Sequence, residues 1–389
     1  MTEGRQLSGA QQANSPMVAA GLAAGSAAVG RPLSGPAQLL GSDWSVVLRC
    51  TDPGRGTVIV KSYPDTQDGP GCFAAEAAGL SVSAGTGLAP ALLGADLRSR
   101  TVVMTDLGAG PSMADVLLAD SASAASTALL TWAAGCGALS AVTHERRAEF
   151  DTLRSGYLTG RPAESDAARM RARVLGVGER LAQVIAAPEG GLDRVQVPDG
   201  LSEDIRTVAQ WISPSRFPVF SPGDMCPDNN LIVEAGIRFL DFESADVYSA
   251  FLDAAYIRMP FSTCWCVFRL PGELAAAAES AYREHIATVH PELASDEVWN
   301  YGVRCAVAAW SMSSMYWLLG RALTHDEPLE QDHDSPSARQ VMRHRWQVLA
   351  AELEGGGVLP ALAELARSML SATERWQVPE LPFYPAFRA

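Results

Sequence analysis

Two acids and a carboxamide arranged around a short hairpin constrain this chain more than any other feature. The stretch Phe217 to Glu243 reads FPVFSPGDMCPDNNLIVEAGIRFLDFE, with Asn229 five positions after Asp224 and Asp241 17 positions after it. Leu231-Ile232-Val233 and Ile237-Arg238-Phe239-Leu240 are β-branched and aromatic runs separated by Glu234-Ala235-Gly236. That spacing suits a hairpin whose glycine takes the positive-φ position. A three-residue loop pairs Val233 with Ile237 and sets Asn229 opposite Asp241; a two-residue loop shifts the pair by one position. In either register both side chains share the open end of one hairpin, where directly opposed Cβ atoms are about 4.5–5.5 Å apart. A carboxylate and an amide oxygen that close suit one hard cation. Magnesium is the natural choice, since it takes oxygen ligands and is usually shared with substrate phosphates. Asp224, on the loop just before, would face the same phosphate and accept the proton of an attacking hydroxyl.

Of the 30 basic residues, 29 are arginine and one is Lys61. A composition so tilted towards arginine marks the position that stays lysine as a candidate for chemistry a wide, planar guanidinium cannot do. Asparagine is nearly as rare, at 14, 229, 230 and 300, and two of these four lie in the stretch above. Lys61 ends an expected strand, Thr57 to Val60, in an antiparallel sheet that also holds Gln38 to Leu40, Trp44 to Cys50, Pro90 to Leu97 and Thr101 to Met104. Cys72 to Leu80 reads as a helix that carries Glu76 in FAAEAAGL. An ammonium in a partly closed cleft has to be aimed, and a carboxylate on a helix can aim it.

These segments resemble the aminoglycoside phosphotransferase family, small-molecule kinases with the protein-kinase fold. The family pattern His-Gly-Asp-x-x-x-x-Asn corresponds to Pro222-Gly223-Asp224 and Asn229, and the family's metal aspartate to Asp241 in FLDFE. Pro222 stands where the family has a histidine that braces the loop. The resemblance spans nearly the whole chain beyond residue 36 and implies an α+β, two-lobe fold: a small antiparallel sheet at 37–104 and a mostly helical lobe at 105–389. It implies Asp224 as base or hydroxyl orienter, Asn229 and Asp241 as magnesium ligands, and Lys61 held by Glu76 against the nucleotide phosphates. Gly41-Ser42-Asp43 would lie over those phosphates, and the backbone of Thr105 to Leu107 would meet the adenine edge. Asp253, at a helix start in VYSAFLDAAYIRM, fits the aspartate that braces the catalytic loop. The activity implied is ATP-dependent, or GTP-dependent, phosphorylation of a hydroxyl on a small cationic molecule such as an aminoglycoside. A kinase of another metabolite and a catalytically impaired nucleotide-binding relative are the alternatives, the second because of Pro222. A protein kinase is disfavoured, because no Ala-Pro-Glu segment follows Asp241 at activation-loop distance.

The rest of the composition sets limits. A formal charge of −14 disfavours nonspecific nucleic-acid binding and suits a cationic partner. The loop Thr324 to Asp334, THDEPLEQDHD, holds five acids and no Lys or Arg, which makes Asp326, Glu327 and Glu330 candidates for substrate capture. Hydrophobic content of 48%, with no apolar run of about 18 residues, points to a cytoplasmic globular protein without a membrane span. Residues 1–36, rich in Gly, Ala, Ser and Gln, are expected to be a disordered tail. The seven cysteines are odd in number and scattered through apolar segments, so reduced thiols are expected rather than a disulfide framework. Cys264-Trp265-Cys266 has no second ligand pair at metal spacing in the sequence, so no zinc site is expected there.

Overall fold

A computed structural model describes residues 16–39, 45–161, 163–186, 192, 195–261, 263–331, 335–355 and 357–388. Its first layer comprises helix α1 (Pro16–Val29), strands β1 (Ser34–Gln38), β2 (Val46–Asp52) and β3 (Gly56–Ser62), helix α2 (Gly69–Val82), and strands β4 (Leu92–Asp96) and β5 (Thr101–Thr105). The strands form one antiparallel sheet in the order β1-β2-β3-β5-β4. Strand periodicity divides its residues between two faces. Leu48, Cys50, Val58, Val60 and Val103 pack under α1, while Val47, Arg49, Ile59, Lys61 and Met104 line a cleft on the other side.

The expected disordered tail is therefore corrected over residues 16–36. Val18 is fully buried in α1, and Gly21 and Gly25 lie one turn apart against the sheet. A Cβ on Gly21 would stand 2.9 Å from Leu48 Cδ1, and one on Gly25 would stand 2.7 Å from Val60 Cγ2. The Gly and Ala content that reads as disorder is the contact surface: small residues let the helix lie directly on a valine-rich sheet. The strand expected at Gln38 to Leu40 is Ser34–Gln38 instead. Residues 1–15 lie outside the described residues.

A helical layer follows: α3 (Met113–Leu118), α4 (Ala122–Val142), α5 (Arg147–Leu158), α6 (Asp166–Ala186) and α7 (Leu201–Trp211). Ser112 caps α3 and closes a capping box with Asp115. Among the described residues α4 is the one helix long and apolar enough, by length and composition, to cross a membrane. Leu129, Trp132 and Leu139 of α4 are in the main core, and the helix packs along the later helix Gly272–Val289. The strands β6 (Pro218–Ser221), β7 (Asn230–Val233), β8 (Gly236–Phe239) and β9 (Asp246–Ser249) then carry the central stretch. Strand β6 pairs with β9, which sets Ser221 opposite Asp246, and β7 pairs with β8. Helices α8 (Ala250–Arg258), α9 (Gly272–Val289), α10 (Asp296–Ser314), α11 (Leu319–Thr324), α12 (Ala338–Leu353) and α13 (Pro360–Ala372) complete the layer. One hydrophobic core runs from Phe73 and Leu80 of α2 through Phe220, Phe242 and Trp299 to Met369 of α13.

Candidate active site

The hairpin opens the site with a register one step from the opposed pair. Val233 pairs with Gly236 and Asn230 with Phe239, and Leu240 N–H donates to the Asn229 carbonyl at 2.9 Å. Asn229 is thus opposite Leu240, and Asp241 follows one position beyond the opposed pair. Gly236 takes φ +118°, the conformation its glycine permits. Asn229 and Asp241 line one cleft of 680 Å³, together with Lys61, Asp228, Trp265 and Glu330.

Lys61 is where the two layers meet. Its side chain is only 7% exposed, and its ammonium lies 2.8 Å from Asp241 Oδ1, 3.1 Å from Glu243 Oε2 and 3.3 Å from Glu76 Oε2. Burial works against the charged ammonium, but the carboxylates of Asp241, Glu76 and Glu243 outweigh it and hold the Lys61 pKa well above its usual value. Glu76 is fully buried on α2, and its Oε2 also accepts from the Tyr63 hydroxyl and from Phe242 N–H, both at 3.0 Å. That one oxygen joins β3, α2 and the Asp241-Phe242-Glu243 segment. Burial, only partly offset by Lys61, pushes the Glu76 carboxyl up to about 7.

The loop after β6 turns at Gly223, whose φ is +84° and whose Cβ, if added, would stand 2.1 Å from the Ser244 carbonyl oxygen. Only glycine fits both demands. Asp224 follows. Burial drives its carboxyl up to about 6, helped by the charges of Asp241 and Asp228 and opposed by Cys226, whose N–H donates at 3.3 Å. Asn229 Nδ2 donates to the Asp224 carbonyl at 3.5 Å. This directs the amide nitrogen inward and leaves the amide oxygen for a ligand. The Asn229 oxygen and the Asp241 carboxylate, both from residues that line the cleft, are hard donors of the kind magnesium takes.

Asp253 sits in the first turn of α8, and its Oδ1 accepts from the Ser221 hydroxyl at 3.2 Å. Ser221 Oγ in turn accepts from Gly223 N–H at 3.2 Å. The loop is thus tied to α8 through Ser221, with Pro222 buried between. Asp253 Oδ2 is buried without a hydrogen-bond partner, and burial, opposed only by Ser221, pushes its carboxyl up to about 7.

Among the solved structures this chain is similar to, the choline kinase of Cryptosporidium parvum Iowa II is 14% identical over 85% of this chain and 93% of that one, with a TM-score of 0.52. The chain shares the two-lobe fold of that kinase. A choline/ethanolamine kinase family protein of Mesorhizobium loti is 15% identical over 92% and 97% of the two chains at a TM-score of 0.47. A macrolide 2'-phosphotransferase of Brachybacterium faecium is 18% identical over 77% and 96% at 0.43. No family model and no curated protein matches the sequence.

Thr105 and Leu107 line the cleft as expected of linker residues, but Thr105 N–H donates to the Ala91 carbonyl at 3.0 Å and its Oγ1 accepts from Ala91 N–H at 2.9 Å. Its amide is therefore committed to the sheet. Ser42 lies outside the described residues. The acidic loop divides: Glu330 lines the cleft, Asp326 and Glu327 face solvent, and Asp332 and Asp334 lie outside the described residues. Glu76 and Asp253 are buried behind the cleft wall, and Asp224 is half-buried on the loop beside it.

The sequence reading missed Glu243, Arg49 and Trp265. The spacing of Glu243 from Asp241, two positions on, was the available signal for the first. Arg49 reaches the cleft by pairing with Asp106 at 2.7 and 3.1 Å, and Trp265 reaches it by donating its indole N–H to Asp228 Oδ2 at 2.9 Å. Both depend on contacts between distant segments, which spacing does not reveal.

Proposed function

We propose that the protein is a nucleotide-dependent small-molecule kinase that phosphorylates a hydroxyl of a cationic substrate. The observation that carries this reading is the convergence of Lys61, Asn229 and Asp241 on one cleft, with Glu76, from a third chain segment, holding Lys61 from behind its wall. Ile59, Met104, Leu231 and Leu240 give that cleft apolar surface suited to a planar base, and Lys61 and the acids line it as well. In this reading ATP, or GTP, enters with its phosphates towards Lys61. Magnesium held by Asn229 and Asp241 supplies neutralisation of phosphate charge when bound. Asp224 accepts the proton as the substrate hydroxyl oxygen bonds to the γ-phosphorus and the bond to the departing nucleoside diphosphate breaks. Lys61, aimed by Glu76, steadies the α- and β-phosphates, and Asp253 holds the Asp224 loop through Ser221. Catalysis then rests on positioning and charge rather than on covalent chemistry by the protein.

Charge supports a cationic substrate. Asp228, Asp241 and Glu330 line the cleft, and the whole chain carries −14. Amino sugars and amino alcohols, the aminoglycosides among them, combine a cation with a hydroxyl and fit that field.

The test is nucleotide consumption by the purified chain with magnesium, comparing ATP with GTP across aminoglycosides, amino alcohols and neutral sugars. Turnover stimulated by a cationic hydroxyl compound and abolished by Asp224→Asn supports the reading. Nucleotide binding with no turnover on any substrate would favour a binding protein without catalysis, the outcome for which Pro222 in the histidine position speaks.

A further inference from the structure

Directly beneath the Asp224 loop, tertiary structure assembles the second ligand pair that Cys264-Trp265-Cys266 lacks in the sequence. Cys226 and Asp228, from the segment between Asp224 and Asn229, face Cys264 and Cys266, from the segment that follows α8. The ligand atoms of Cys226, Asp228 and Cys264 all lie within 4.8 Å of one another. Cys264 Sγ is 3.8 Å from Asp228 Oδ1 and 3.0 Å from Cys266 Sγ. The three thiols are buried, and none is in a disulfide.

We propose that Cys226, Asp228 and Cys264, with Cys266 as the fourth donor, form a binding site for one zinc-class divalent cation. Bond lengths of about 2.3 Å to sulfur and about 2.0 Å to oxygen put tetrahedral ligand atoms about 3.5–3.8 Å apart. The separations among Cys226, Asp228 and Cys264 fall within about an ångström of that range, while Cys266, 3.0 Å from Cys264 and outside that group of three, has to swing further to complete the set. Three thiols and one carboxylate are a soft donor set that zinc accepts and magnesium does not. The surroundings orient the donors. Trp265 holds Asp228 Oδ2 at 2.9 Å and leaves Oδ1 facing Cys264. The hydroxyls of Tyr256 and Thr263 approach Cys226 Sγ at 3.4 and 3.5 Å, and the Tyr384 hydroxyl donates to the Cys266 carbonyl at 2.5 Å. Such outer partners fix ligand geometry in metal centres. Asp228 is exposed and lines the cleft, which gives the ion a path in. Each thiol loses its proton to solvent on binding, so affinity falls as pH falls. The ion ties the Asp224–Asn229 loop to the segment after α8 and is structural; its existence does not depend on the kinase reading.

The experiment uses the full chain, reduced and stripped with a chelator, and titrates zinc alone, with cobalt(II) as a spectroscopic substitute. One equivalent of zinc, thiolate-to-cobalt charge-transfer absorption, and protection of three of the seven thiols from alkylation are expected. Cys264→Ser and Asp228→Asn each weaken zinc binding tenfold or more, while Cys50→Ser, in the sheet layer, binds like the parent. Circular dichroism monitors folding, and Asp228→Asn, at the exposed edge, supplies the measurement if Cys264→Ser fails to fold. Zinc well below one equivalent in the parent, equal affinity in Asp228→Asn, or a Cys264–Cys266 disulfide that persists in reducing buffer overturns the site.

Discussion

Lys61 Nζ lies closer to Asp241 Oδ1, at 2.8 Å, than to Glu76 Oε2, at 3.3 Å. The lysine proposed to clamp phosphates is thus joined to the aspartate proposed to hold the metal, with Glu243 as a third carboxylate at 3.1 Å. A nucleotide and its cation would divide this cluster, the phosphates going to Lys61 and the cation to Asp241. Lys61→Met leaves three carboxylates without their cation, and breaking such a buried pair costs about 3–5 kcal/mol. A clear fall in melting temperature is expected, larger at pH 8 than at pH 5, where the acids can take up protons. Lys61→Arg keeps the charge but offers a wide fork where a compact ammonium fits. Its nucleotide affinity or turnover should drop about tenfold or more, equivalent to about 1.4 kcal/mol. Parent-like titrations and rates in Lys61→Arg would refute the clamp.

Asp224→Asn keeps the shape of the loop and the N–H contact from Cys226. Nucleotide binding should stay within about twofold while substrate-dependent turnover falls by about 10²-fold or more, the usual contribution of a proton acceptor. Calorimetric nucleotide binding alongside single-turnover rates separates the two, and an unchanged rate removes Asp224 from the mechanism.

Gly223 tests the loop backbone rather than its chemistry. Gly223→Ala must place a Cβ 2.1 Å from the Ser244 carbonyl at φ +84°. A local strain of about 1–3 kcal/mol, and more from the clash, should appear as a lower melting temperature. Loop displacement should also lower turnover. A variant as stable and active as the parent would mean that the loop takes a different path.

Asp253 gives stability a pH dependence of known sign. Burial pushes its carboxyl up to about 7 in the folded protein, against an ordinary value of 3.8. The folded state therefore binds more protons between these values, so this group's contribution is complete below about pH 4 and is lost as pH rises through about 7. Asp253→Asn removes the buried charge and keeps an acceptor for Ser221. Relative to the parent, it should be more favourable at pH 8 than at pH 5 in thermal melts. An offset that does not vary with pH contradicts the assignment.

Glu330 and the pair Asp326 and Glu327 should separate in their effects. Glu330→Gln, on the cleft wall, should raise KM for a cationic substrate at any salt concentration without changing nucleotide affinity. Neutralising Asp326 and Glu327, which face solvent, should act only through the long-range field. That effect should vanish at high ionic strength, where screening acts within a few ångströms. KM titrations at low and high salt decide between capture by contact and capture by field.

The sequence by itself determined the local chemistry. A lysine unique among 30 basic residues, an Asp-x4-Asn spacing and a hairpin with a final aspartate can be read without coordinates, because each depends on neighbours in the chain or on composition. The strand-then-helix order that carries Lys61 and Glu76 is legible for the same reason. Tertiary structure decided what lies between distant segments. It made Glu76 Oε2 a three-way acceptor reaching Phe242, 166 positions away, and set Ser221 against Asp253. It also turned a Gly- and Ala-rich N-terminal segment into a helix on the sheet, because small residues become a packing surface only when a flat partner is present. The pairing of Cys226 and Asp228 with Cys264 and Cys266 was hidden for a related reason: sequence spacing fixes distances within a turn or a hairpin, and only burial of a shared core fixes them across 36 residues.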